Sequence, residues 1–331
     1  MQRIDDLADE QYWKICITGP GGTGKTTLGV SAPKPLIVLS ERQGLPSIKA
    51  AAKRLGVPVP PVVYVDVAED YRTVLQALRA PKDKPFVLID KSTGEVVMEL
   101  AVEDWPQTVI VDSLTDACDV VKRELDDQAP NKKGRDGLPV MARGKWGVWT
   151  DRCMGLIKSF RDLPMHVVFL CLISDRTKED ADGNITERIV QPKLATHGMG
   201  PQLCAAVNIM GYTRRKVEGN VPIYGVLTIA PEYMLSKPCE PLQQWEVPDL
   251  SSWIERLNGN LTVMPDFPDM SDEVIPPKEP EKPEQTTDDD GDAHDAAEDK
   301  PEMCSECGLI IVQSAGDVCA GCEPDILAEG E

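Results

Sequence analysis

The sequence predicts an α/β fold, a largely parallel sheet between helices, followed by an acidic linker and a small cysteine-bearing module. Three observations carry this. Short apolar runs alternate with segments whose apolar residues recur at helical spacing, the pattern of strand–helix units stacked into a covered sheet. A Gly-rich stretch joins the first apolar run to the first helix. Beyond residue 264 the composition turns to Pro, Asp, Glu and Thr with few large apolar groups.

The elements follow in order. Trp13 to Thr18 is an apolar run entering the Gly-rich turn, and Thr26 to Ser31 opens a helix. Leu36 to Leu39 is a buried strand closing at Ser40-Glu41; Pro46 to Leu55 is helical and Val62 to Val65 is strand-like. Ala68 to Ala80 places Tyr71, Val74, Leu75 and Leu78 on one helical face. Phe86 to Asp90 and Glu95 to Glu99 flank Lys91-Ser-Thr-Gly94, a hairpin with Gly at its turn. Thr108 to Val111 is another buried strand, followed by a helix to about Asp127. Residues 129–145 are polar and rich in Gly and Lys and read as a mobile loop. Trp146 to Leu163 reads as a helix and Val167 to Ile173 as a central strand. Asp175 to Arg188 reads as a loop or a hairpin turning at Asp182-Gly183. The expected domains are a core over 1–264, a disordered acidic linker over 265–302 and a four-cysteine module with its tail over 303–331.

The 331 residues carry a net charge of −20, but unevenly. From Asp266 onward there are 21 acidic and 3 basic residues, which leaves 34 acidic against 32 basic in the body. A nearly neutral body with an acidic tail remains compatible with nucleic-acid binding. The longest apolar run has seven residues, far short of the roughly 20 that span a bilayer. Met1 to Glu10 is polar, without a secretory signal, so the expected location is the cytoplasm, a host's if the protein is viral. Six of the ten cysteines are scattered and four form two CxxC pairs, which suits a reducing compartment and one metal site.

Gly19-Pro20-Gly21-Gly22-Thr23-Gly24-Lys25-Thr26 satisfies every fixed position of a phosphate-binding loop, between an apolar strand and a helix. Glycines let successive backbone N–H groups converge on a phosphate, and the helix N-terminus adds partial positive charge. Lys25 can reach the β- and γ-phosphates of ATP and the Thr26 hydroxyl can ligate Mg²⁺, with Thr27 beside it. Asp112, at the end of Val109-Ile110-Val111, is the expected second Mg²⁺ residue, with Ser113 next to it. Glu41 ends the second strand, where ligand groups gather at the carboxyl edge of such sheets. It reads either as a general base for hydrolysis or as a solvated loop glutamate; position alone leaves both open.

These pieces resemble the RecA core. That family has a strand ending in a catalytic Glu, as in Leu36 to Glu41, then a strand ending in Asp-Ser, as in Val109 to Ser113. A further strand ends in a polar sensor, here Ser174 after Leu172-Ile173, where the family carries an amide or histidine. The stretch from Gly198 through Arg215 is similar to the family's segment leaving its second DNA-binding loop. The chain is most similar to the short, core-only phage recombinases of the Sak group, single-strand annealing ATPases, over roughly residues 12–257. The hairpin at 86–99 is not a feature of RecA. The resemblance favours Glu41 as the base and implies that Lys237, in Tyr233-Met-Leu-Ser-Lys237, reaches a neighbouring subunit's phosphate. It implies an Mg²⁺-dependent, DNA-stimulated ATPase that binds single-stranded DNA and promotes annealing or strand exchange as a ring or filament. A hexameric helicase or helicase loader and a nucleotide switch without turnover are the alternatives. A small-molecule kinase fits less well, because the 175–193 stretch is too acidic for an Arg-rich lid.

By the same resemblance, DNA contacts fall in 129–146 and 175–198. The first holds Lys132, Lys133, Arg135, Arg143 and Lys145, cations suited to phosphates. Trp146 could stack a base, but its spacing from Trp149 at a helix start favours an inward, packed side chain. Cys304-x2-Cys307-x11-Cys319-x2-Cys322 is a zinc-ribbon spacing. Four thiolates would close the tetrahedron around a structural Zn²⁺ that drives folding of so small a piece, with a replication or recombination protein as partner of the ribbon and acidic tail. A pair of redox dithiols is the alternative.

Overall fold

A computed structural model of the chain describes residues 11–128, 132–133, 139–140, 143–180, 185–260, 270, 302–303 and 311–312. The chain divides into two compact units, Met1–Lys278 and Glu279–Glu331. In the second, Glu302–Met303 pairs antiparallel with Ile311–Val312.

In the first unit the order is β1 (Lys14–Thr18), α1 (Lys25–Val30), β2 (Pro35–Leu39), α2 (Gly44–Leu55), β3 (Val62–Tyr64) and α3 (Ala68–Leu78). Next come β4 (Phe86–Ile89), β5 (Val96–Leu100), β6 (Thr108–Asp112), α4 (Leu114–Gln128), β7 (Lys132–Lys133), β8 (Pro139–Val140) and α5 (Arg143–Arg161). Then follow β9 (His166–Cys171), β10 (Ile173–Glu179), β11 (Ile185–Pro192), α6 (Met199–Ala206), β12 (Ile209–Glu218), β13 (Val221–Leu227), β14 (Trp245–Glu246) and α7 (Leu250–Leu257).

Among the described residues one eight-stranded sheet runs β14-β13-β12-β1-β9-β6-β2-β3. From β12 to β3 every pairing is parallel; β13 and β14 are added antiparallel at one edge. The parallel strands are apolar on both faces, as a sheet covered on both sides requires. Val167, Phe169 and Cys171 of β9 pack with α3, α4, α5 and α6, while Val168 and Leu170 pack with α1, α2 and α7. Parallel pairing brings the carboxyl ends of β1, β2, β6 and β9 to one edge, and the loops leaving that edge build the site.

Several expectations change. The apolar run from Val167 to Ile173 is not one strand: β9 ends at Cys171, and Ile173 already belongs to the β10–β11 hairpin, whose turn at Asp182-Gly183 lies outside the described residues. Of the loop expected at 129–145, β7 and β8 form a short antiparallel pair. Trp146 does not turn inward; it is 43% exposed, and Trp149 takes the core position at 6%, donating Nε1–H to the Cys118 carbonyl at 2.8 Å. The β12–β13 hairpin was not expected. Tyr212 is the last β12 residue paired with β1, so Thr213 to Glu218 run on with β13 alone, about 20 Å past the carboxyl edge. No helix among the described residues is long and apolar enough to cross a membrane.

Candidate functional site

β1 delivers the chain into the Gly-rich loop, and Gly24 in the left-handed region (φ 95°) caps α1, whose first residue is Lys25. A side chain at Gly24 would be strained. The loop's first glycine is required for a different reason. A Cβ on Gly19 would lie 2.1 Å from the Thr213 hydroxyl of β12. That hydroxyl also sits 2.7 Å from the Thr23 Oγ1, which donates to the Pro20 carbonyl at 2.8 Å. Thr213 therefore braces the loop from the neighbouring strand, a role that no motif in the sequence announced.

The Lys25 ammonium folds back onto the loop, donating to the Gly19 carbonyl at 2.8 Å and the Pro20 carbonyl at 2.7 Å. Burial lowers its pKa, against the opposing charge of Asp112. The Thr26 hydroxyl donates to Asp112 Oδ2 at 2.9 Å, joining the start of α1 to the end of β6. Burial raises the Asp112 carboxyl above the usual range; Thr26 and Lys25 oppose the rise, while Asp116 and Glu41 add to it. A buried carboxylate with a hydroxyl already aligned on it is a donor set that fits a divalent cation. Ser113 lines the same cavity, and its hydroxyl donates to Asp116.

Glu41 follows β2 directly. Ser40 pins that strand end, its N–H donating to the Asp112 carbonyl at 3.0 Å and its hydroxyl bonding Tyr71 at 2.5 Å. Glu41 is exposed and shares with Lys25, Thr26, Thr27 and Asp112 one cavity of about 570 Å³. The structure also brings Asp116, Arg54 of α2 and Tyr224 of β13 to this cavity, three residues that the sequence reading did not single out.

Other expected site residues lie elsewhere. Ser174 is half-buried in β10 opposite Gln191, and Leu172 rather than Ser174 follows β9 into the cavity wall. The strand simply ends earlier than its apolar run. Lys237 is not a free finger. Its ammonium donates to the Val207 carbonyl at 2.6 Å and the Cys204 carbonyl at 3.3 Å, capping the C-terminus of α6, where a cation meets the helix's negative end. Lys145 is largely covered and pairs with Asp126 at 3.7 Å. Arg135 and the side chains of Lys132, Lys133 and Arg143 lie outside the described residues, as do Cys304, Cys307, Cys319 and Cys322.

Comparison with known proteins gives the family. The AAA domain family matches residues 11–221, more than half of the chain and the whole of the cavity apart from Tyr224. No curated protein matches. Among solved structures the chain is similar to the flagellar accessory protein FlaH from Methanocaldococcus jannaschii, at 11% identity and a TM-score of 0.32, over 70% of this chain and 83% of that one. It is also similar to the KaiC-like protein PH0186 from the hyperthermophilic archaeon Pyrococcus horikoshii OT3, at 11% identity and a TM-score of 0.31, over 71% and 87%. Likenesses this distant carry no argument; the domain match, falling on a phosphate loop with its Thr26–Asp112 pair, does. The chain belongs to the AAA domain family and is a P-loop NTPase.

Proposed function

We propose that the chain hydrolyses ATP in this cavity and uses the cycle to act on single-stranded DNA, in annealing or strand exchange, as a homo-oligomer of the RecA-like, Sak kind. The observation that carries the ATPase reading is the hydrogen-bonded Thr26–Asp112 pair, set between Lys25 and Glu41 on one cavity. The loop N–H groups and α1 N-terminus take the phosphates, and Lys25, held on the loop carbonyls, turns its charge to them. Thr26 and Asp112 hold Mg²⁺, which when bound neutralises charge on the β- and γ-phosphate oxygens. Glu41, one residue past the strand end that Ser40 fixes, orients a water and accepts its proton.

Single-stranded DNA as the client is supported by the exposed Trp146 in the first turn of α5, an aromatic face open to a base. A structural Zn²⁺ on Cys304, Cys307, Cys319 and Cys322, with a replication or recombination protein bound through that module, belongs to the same reading. A nucleotide switch without turnover is the second reading. One observation favours it: Glu41 is exposed, and among the described residues no side chain hydrogen-bonds to it.

The test is ATP turnover with and without single-stranded DNA across a salt series. Turnover raised by DNA at low salt and less so at high salt is the expected result. Turnover indifferent to DNA would remove the DNA reading, and no turnover would favour the switch.

A further inference from the structure

Tyr71 of α3 carries a hydroxyl that packing does not require. The side chain is 0% exposed and belongs to the core layer that holds α4 and α5, with its ring edge-on to Phe160 at 6.3 Å. A phenylalanine would fill nearly the same space without burying a hydroxyl, which costs free energy unless the group is bonded. Among the described residues the phenol's hydrogen-bond partner is the Ser40 hydroxyl, itself buried, at 2.5 Å. The pair ties α3 to the residue that precedes Glu41. The backbone around Glu41 is held on both sides: the Ser40 N–H donates to the Asp112 carbonyl and the Gly44 N–H donates to the Glu41 carbonyl, each at 3.0 Å. The Glu41 side chain, by contrast, lines the cavity with no hydrogen-bond or ion-pair partner among the described residues. A carboxylate that no side chain orients takes its direction from its own backbone, and the Ser40–Tyr71 bond restrains that backbone from the core.

We propose that Tyr71 is a positioning residue for hydrolysis: through the Ser40 hydroxyl it sets the direction in which Glu41 leaves the strand and enters the cavity. A group that must meet a bound water within a fraction of an ångström depends on such support from behind. The inference rests on Glu41 being the base of ATP hydrolysis. Packing and positioning make different demands on the pair. Packing is restored when both hydroxyls are removed together, because no buried group is then left unpaired; positioning is not.

The test compares the wild type with Tyr71→Phe, Ser40→Ala and the double variant for Mg²⁺-ATP turnover, ATP binding by titration and the urea midpoint. Each single variant should lose about tenfold in turnover at saturating ATP, keep ATP affinity within about twofold and unfold at lower urea. The double variant should recover the midpoint and keep the tenfold loss of turnover. Adding Tyr71→Phe to Glu41→Gln should change the residual turnover less than twofold, because the group being positioned is already gone. Single variants that turn over like the wild type, a double variant that regains turnover with its midpoint, or a full tenfold loss on top of Glu41→Gln would each overturn the assignment. A wild type without turnover, or Glu41→Gln turning over like the wild type, would overturn the reading of Glu41 itself, and this inference with it.

Discussion

Two lysines at opposite ends of the same strand–loop unit show how this molecule separates structure from chemistry. Lys14 opens β1 at the amino edge of the sheet; Lys25 follows the loop that leaves the carboxyl edge. Each donates to two backbone carbonyls, Lys14 to those of Leu163 and Met165 at 2.7 and 2.6 Å, and burial lowers the pKa of each, that of Lys14 to about 8. The difference lies in their surroundings. Around Lys14 the polar groups satisfy one another: its N–H donates to the Asn208 side chain, and the Trp13 N–H donates to His166 Nδ1. Around the Lys25 cavity they do not, since the side chains of Glu41 and Arg54 have no hydrogen-bond or ion-pair partner among the described residues. A shifted lysine is therefore no marker of a site by itself; unspent charge around a cavity is.

The sharpest way to break this comparison is to remove both ammonium groups in turn. Lys25→Met should cost roughly 100-fold or more in turnover, the scale of losing one preorganised donor to transition-state charge, and less stability than Lys14→Met, because one of its two bonds, to the Pro20 carbonyl, is exposed to water. Lys14→Met should leave ATP affinity unchanged and cost about 1–3 kcal/mol of stability in urea unfolding, because two carbonyls at the α5–β9 turn lose their donor. Equal effects on both readouts would erase the distinction. The paired tryptophans of α5 extend it: Trp146→Ala should weaken single-stranded DNA about tenfold in fluorescence anisotropy without loss of stability. If affinity holds, the exposed indole has another use. A pH-dependent effect concerns His166, which burial, with Lys14 and Lys82 adding to it, pushes down to about 4. An unfolded histidine takes its proton near pH 6.5, so stability should fall as pH drops from there to about 4. His166→Asn, which keeps an acceptor for Trp13, should flatten that part of the urea-midpoint profile.

What was legible in the sequence depended on whether a segment's pattern served one purpose. The parallel strands are buried on both faces, so Leu36 to Leu39 and Thr108 to Val111 announce themselves by unbroken apolarity, and the Gly-rich loop by its steric demands. The β12–β13 ribbon was hidden because beyond Tyr212 it leaves the sheet and becomes largely exposed, so no unbroken apolar run marks it; Gly219 at its turn (φ 61°) was the usable signal. Ser174 was misplaced because one apolar run covers the end of β9 and the start of a separate hairpin. Lys237 read as a residue reaching a neighbouring subunit's phosphate because sequence does not show which helix end a loop residue will meet. Thr213 and Arg54 reach the site through register and helix phase, which carry no motif.

The central claim is that Glu41 acts on a nucleotide already held by Lys25, Thr26 and Asp112. Glu41→Gln, measured for ATP binding by titration and for turnover in the same preparation, tests it most directly. Binding within about twofold of wild type with turnover down roughly 100-fold is the result expected for loss of a general base. Turnover that survives the substitution would contradict the assignment of Glu41.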